Sequence, residues 1–198
     1  MTKFDLMDQL LKQNNGVIRT ADIVAAGVSK TYFAEYIKCR KLEKISHGIY
    51  ASADAWPDMM YFFQLRYEQA IFSHDVALYL HDMSDREPLQ LTITVKTGYN
   101  TSIFQKQNVK AYTVNKNLHK LGLTTAKTPF NNTVKVYNPE RTVCDIVRSR
   151  SEIEFQTYQS ALSQFVRRKD KDLHLLMEYA KAFKVEKILK QYLEVMLP

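Results

Sequence analysis

Glycine is scarce in this 198-residue chain, and the five that occur, Gly16, Gly27, Gly48, Gly98 and Gly122, all stand alone. No G-x-G-x-x-G turn and no phosphate-cradling P-loop can be assembled from them, so the common dinucleotide and nucleotide-triphosphate folds are excluded. Cysteine is scarcer still. Cys39 and Cys144 lie far apart, form neither a CxxC pair nor a zinc spacing, and are expected as buried free thiols. No apolar run approaches the ~20 residues of a membrane helix. The opening Met1-Thr2-Lys3-Phe4-Asp5 lacks a signal peptide's apolar block. These absences point to a soluble cytosolic protein with no membrane partner.

What is present is enough apolar surface for a core, 45% hydrophobic and 12% aromatic residues, together with a basic excess. Lys and Arg number 28 against 21 Asp and Glu, a formal charge of +7. Such a balance favours acidic partners, nucleic acid among them, without selecting one.

Helical periodicity opens the chain. Phe4, Met7, Leu10 and Leu11 share one face, and Asn14-Asn15-Gly16 stops the helix. Thr20 is expected to cap a short helix, 21–26, ended by Gly27, and Ser29 to cap a third over 30–40. Leu42 to Ile45 and Ile49 to Ala51 read as two strands around Ser46-His47-Gly48. A junction at Ser52 to Pro57 places a domain boundary near Asp54. Beyond it, helices are expected over 58–71 and 73–83, and strands over 91–95, 109–114 and 133–137. Asn138-Pro139-Glu140 is a helix start. Three apolar stripes follow: Phe155, Tyr158, Leu162, Phe165 and Val166; Leu173, Leu176, Met177, Ala180 and Phe183; and Val185, Ile188, Leu189, Tyr192, Leu193 and Met196. The fold class is therefore α+β. An N-terminal winged helix-turn-helix, 1–54, precedes a larger mixed α/β domain, 55–198, that ends in a helical bundle.

Helix, short helix, glycine turn, helix and hairpin is the order of a winged helix-turn-helix. In the third helix Phe33 and Ile37 are expected to face inward, with Lys30, Thr31, Ala34, Glu35, Lys38 and Lys41 mostly outward. A helix entering the major groove sets its N-terminal residues at base edges and its cations at phosphates. Ser29, Lys30, Thr31 and Tyr32 suit the first task, and Lys38, Arg40, Lys41 and Lys44 the second. Arg19 and Thr20 precede this face, and His47 at the wing tip is placed to reach a neighbouring groove or backbone.

Specific segments carry a family resemblance. Gly16-Val17-Ile18-Arg19-Thr20-Ala21-Asp22, Gly27-Val28-Ser29 and Ser46-His47-Gly48-Ile49-Tyr50 resemble the N-terminal domain of AbiE-type antitoxins of bacterial abortive-infection toxin–antitoxin systems. Phe72 to His81 resembles that family's S-H-x-S-A-L-x-L-H segment, departing at Asp75, and Tyr137 to Ile146 resembles its R-T-L-x-D segment. The resemblance implies an autorepressor that binds inverted repeats upstream of its own operon. It also implies a C-terminal domain that neutralises a nucleotidyltransferase-like toxin, in many members without a stable complex, in phage defence.

Catalysis is not expected. His74 and His81 are seven residues apart, roughly 10 Å along a helix, too far to share a metal ion. The strand end Thr94-Val95-Lys96 has threonine where a nuclease needs an acid. No cofactor or metal is implied. Arg141 and Asp145 sit at i, i+4, and read either as an exposed ion pair or as a buried polar cluster. A second basic zone comprises Arg167, Arg168, Lys169 and Lys171, followed by Lys181, Lys184, Lys187 and Lys190. The last four are either a solvated face or the antitoxin's working surface. The alternative to a repressor is a non-catalytic interaction adaptor with a vestigial helix-turn-helix.

Overall fold

The structure, a computed structural model, describes residues 2–196. The chain divides into two compact units, residues 1–68 with 128–132, and residues 69–127 with 133–198.

In the first unit, α1 (Lys3–Gln13) is opened by a reciprocal capping box between Thr2 and Asp5. The elements β1 (Val17–Arg19), α2 (Thr20–Ala25), α3 (Lys30–Arg40), β2 (Glu43–Ser46), β3 (Ile49–Ala51) and α4 (Met59–Arg66) follow. The strands form an antiparallel sheet in the order β1-β3-β2. Met7, Ile18, Ile23, Val28, Phe33, Tyr36 and Leu42 make its core. Gly27 turns α2 into α3 at φ +79, a backbone state that favours glycine. The Ser29 hydroxyl then accepts from the Tyr32 amide, capping α3.

Two expectations change here. Thr20 is the first residue of α2 and not its cap; Arg19 occupies that position without a side-chain bond. The unit also runs past the boundary expected near Asp54. The reason is a hydrogen-bonded cluster around Asp58, which is 1% exposed. Its carboxylate caps α4 at the Tyr61 amide, 3.0 Å, and accepts from Thr128 Oγ1 at 2.5 Å and Asn132 Nδ2 at 2.8 Å. Asn15 Nδ2 donates in turn to Asn132 Oδ1, 2.7 Å. A buried carboxylate needs such donors, and segment 128–132 supplies them.

The second unit contains β4 (Ile71–Phe72), α5 (His74–Leu80), β5 (Leu91–Lys96), β6 (Val109–Val114), β7 (Leu123–Lys127), β8 (Thr133–Tyr137), α6 (Pro139–Arg148), α7 (Phe155–Arg167), α8 (Leu173–Ala182) and α9 (Glu186–Met196). Its mixed sheet has the order β6-β5-β4-β8-β7. The helix expected over 58–71 ends at Arg66 because Ile71 and Phe72 are drawn into the sheet centre, paired with β5 on one side and β8 on the other. The helix α6 is buried from Glu140 to Val147 and is covered by α5, α7 and α8. Leu78, Val143, Ile146, Val147, Leu162, Phe165, Leu176 and Leu189 fill that core. Phe155, expected on the buried stripe of α7, is 68% exposed; Ala161 takes part in the stripe instead. Cys144 is buried, whereas Cys39 is exposed on α3, contrary to expectation.

Candidate nucleic-acid interface

The core side of α3 is set by Phe33 and Tyr36, 2% and 0% exposed. With 100° per residue, Thr31, Ala34, Glu35 and Lys38 fall on the opposite pole, and Lys30, Ile37 and Lys41 toward the hairpin β2–β3. Thr31, Ala34, Glu35 and Lys38 are all exposed. A groove runs between α3 and the hairpin. Lys30, Lys44, His47 and Thr20 give it a polar lining, and Phe33, Ala34, Ile37 and Tyr50 an apolar one. The Thr20 amide donates to the Gly48 carbonyl at 2.8 Å, tying the wing turn to the start of α2.

The cations named from sequence separate into two groups. Lys30, Lys38, Lys41 and Lys44 are exposed, and among the described residues none of them pairs with a carboxylate. His47 is exposed at the wing tip. Arg40 points the other way. Its guanidinium grips Asp8 of α1 through Nε and Nη2, and its hydrogen bonds hold the Asp8 carboxyl below the ordinary carboxylate range. Tyr36 donates to the same Asp8 at 2.8 Å. Tyr32 packs edge-on against Phe4, ring centroids 5.5 Å apart, so it too faces α1. Arg19 is held by Asp22 through Nε and Nη2, at 2.8 and 2.7 Å, and by Glu68 at 2.6 Å. Arg19, Tyr32 and Arg40 are therefore each engaged by partners within the first unit. Ser29 is occupied as a cap, while Thr31 stands free at the outer pole. Sequence reasoning left Ala34 and Glu35 out of the candidate site, although their i, i+3, i+4, i+7 spacing with Thr31 and Lys38 marks them.

An exposed, unpaired set of lysines on a rigid helix and hairpin suits a polyanion. Nothing intramolecular has to be broken before they meet phosphates, and each one released of its counterions adds to a salt-dependent attraction.

The other singled-out groups of the second unit are built in. His74 is fully buried, with Nδ1 3.0 Å from Ser73 Oγ and Nε2 3.1 Å from Ser149 Oγ, and its ring stacks on Tyr112. Burial, reinforced by Arg148, Lys110 and Arg141 nearby, holds its pKa well below the ordinary 6.5. His81 Nε2 donates to the Tyr137 carbonyl at 2.7 Å. Among the described residues no three His, Cys, Asp or Glu side chains gather as metal ligands. Of the two readings for Arg141 and Asp145, the structure shows the buried cluster. Both are 0% exposed and meet at 2.9 Å; Arg141 Nη1 also donates to the Leu118 and Leu121 carbonyls. The guanidinium lies between the Tyr137 and Phe183 rings, about 4 Å from each. Arg168 ties to the His81 carbonyl and to Asp170. Lys181, Lys184, Lys187 and Lys190 are exposed along the end of α8, the intervening turn and α9, with Lys190 paired to Glu186 at 2.9 Å.

Together α1 to β3 define a winged helix-turn-helix of the kind found in transcriptional regulators. Residues 5–53 match the family model AbiEi_4, whose description is transcriptional regulator, AbiEi antitoxin. The matched residues are those of the winged helix-turn-helix, and the rest of the chain lies outside the match. No curated protein matches the chain. Among solved structures it is similar to the RV2827C protein from Mycobacterium tuberculosis, with a TM-score of 0.56 and 13% sequence identity over 89% of this chain and 70% of that one. At that identity the likeness concerns the fold. No helix among the described residues is long and apolar enough to cross a membrane.

Proposed function

We propose that the protein is the antitoxin and transcriptional autorepressor of a bacterial toxin–antitoxin operon in phage defence, acting in the cytoplasm without catalysis of its own. The winged helix within residues 1–54 binds inverted repeats in double-stranded DNA of its own promoter. The remainder of the chain, 55–198, neutralises a nucleotidyltransferase-like toxin, with Lys181, Lys184, Lys187 and Lys190 as the working surface. One observation carries the DNA half of this reading: on a segment matched to AbiEi regulators, Lys30, Lys38, Lys41 and Lys44 are exposed with no carboxylate partner. A vestigial module would be under no constraint to leave these lysines without an ion-pair partner while Arg19 and Arg40 are both neutralised.

The test separates the two activities. A promoter–reporter fusion measures repression, and co-expression with the neighbouring toxin from a foreign promoter measures rescue of growth. The Lys30→Ala, Lys41→Ala, Lys44→Ala triple variant should lose repression and keep rescue. The Lys181→Glu, Lys187→Glu double variant should do the reverse. Loss of both activities in both variants would contradict this division of labour.

A further inference from the structure

The acids of the first unit are almost all engaged. Asp5 accepts from the Thr2 amide, Asp8 from Arg40 and Tyr36, Asp22 and Glu68 from Arg19, and Asp58 from Thr128 and Asn132. Glu35 on α3 and Glu43 on β2 are different: both are exposed and, among the described residues, no hydrogen bond or ion pair holds either. Of the two, Glu35 lies on the helix that would enter the groove, in the middle of α3 and on the same pole as Thr31, Ala34 and Lys38. Lys38, one turn on, lies within helical reach and is not paired with it.

A carboxylate on this pole opposes the proposed use of the surface unless it has a partner on the DNA. Phosphates repel it. In the major groove, guanine and thymine offer it acceptors only. Adenine offers an N6 amino group, but with the N7 acceptor beside it, which repels the carboxylate's second oxygen. Cytosine offers the N4 amino donor with no acceptor on its own groove edge. Ala34, adjacent on the pole, has no side chain beyond Cβ, so the helix backbone can come close to the base edges.

We propose that Glu35 is a specificity-determining residue that reads a cytosine, its carboxylate accepting a hydrogen bond from the N4 amino group in the major groove. This rests on the DNA-binding reading of α3. Lysines 30, 41 and 44 then supply affinity for any sequence, and Glu35 supplies discrimination at one position of each half-site.

The experiment is selection of bound duplexes from a random-sequence pool by the full-length protein, comparing wild type, Glu35→Ala, Glu35→Gln and Lys41→Ala. Circular dichroism checks that each variant is folded. Wild type should enrich a site with one cytosine whose exchange for guanine or thymine weakens binding about tenfold or more. In Glu35→Ala that exchange should change binding less than twofold, with the rest of the site intact. Glu35→Gln should shift the position toward adenine, because glutamine pairs with adenine N6 and N7. Lys41→Ala should bind more weakly and select the same site. An unchanged cytosine in the Glu35→Ala pool would overturn the assignment while leaving DNA binding standing. A pool that wild type fails to enrich would overturn the DNA-binding reading itself, and this assignment with it.

Discussion

Helices α3 and α6 use positive charge in opposite ways. On α3 and its hairpin, four lysines stand in solvent and, among the described residues, form no ion pair with a carboxylate. On α6, Arg141 is withdrawn from water altogether, with Asp145, two loop carbonyls and two aromatic rings around it. A cation with no internal partner stays available to an external anion. A cation enclosed by fixed partners, as Arg141 is through Nε and Nη1 with only Nη2 left without a hydrogen bond, fixes the shape of what surrounds it. The contrast also divides the first unit internally, where Arg19 and Arg40 behave like Arg141 and the lysines do not.

The largest effect should come from emptying the buried position. Arg141→Ala leaves Asp145 in the core without its closest partner, and urea unfolding should show a loss of about 3–5 kcal/mol. Removing both charges, as in Arg141→Met with Asp145→Leu, should recover most of that. A loss below about 1 kcal/mol in the single variant would place Arg141 among the solvent-facing cations instead.

Two glycines sharpen the same contrast. Gly122 has φ +74, and a Cβ there would lie 2.5 Å from Arg141 Cβ, whereas Gly27 has φ +79 with nothing within 4 Å. Gly122→Ala should therefore cost about 2–4 kcal/mol through strain and overpacking. Gly27→Ala should cost about 1 kcal/mol through strain alone. Equal costs would mean that the Arg141 side chain yields easily, against its tight enclosure. Next in size is Asn132→Ala, which removes one donor from buried Asp58. A loss of about 1–3 kcal/mol is expected, read by thermal or urea unfolding of the full chain.

The most gradual effect is in pH. His74 is neutral in the fold, with its pKa held below 6.5, so the unfolded chain binds a proton that the folded one refuses. Its contribution is fully present above pH 6.5 and is lost as pH falls below that value, at no more than about 1.4 kcal/mol per pH unit. Denaturant midpoints measured from pH 7.5 to 5 should fall accordingly, and His74→Gln should flatten that part of the profile.

Much of the first unit was legible in the sequence because its signals are local. Ser29 as a cap, Gly27 as the turn and the Ile49 to Ala51 strand all depend on neighbours within a few residues. The orientation of Tyr32 and Arg40 was not legible, since it is decided by Phe4 and Asp8 on another helix. The pairing of Arg19 was not legible for the same reason, with Glu68 lying 49 residues away. In the second unit β4 is two residues long and β7 is an exposed edge strand, Leu-Thr-Thr-Ala-Lys, with little apolar alternation to betray it. The Arg141 and Asp145 spacing was plain, but an i, i+4 pair looks identical on a buried or an exposed helix face.

The central claim is that the unpaired lysines, and not the paired arginines, meet DNA. It is tested most directly by the salt dependence of binding to a duplex from upstream of the protein's own gene, followed by fluorescence anisotropy. The Lys30→Ala, Lys41→Ala, Lys44→Ala variant should lower the log–log slope by roughly 0.9 for each lysine removed. Arg40→Ala should leave the slope where it was. A lysine variant with the wild-type slope, or an Arg40→Ala slope reduced as far as that of the lysine variant, would contradict the account.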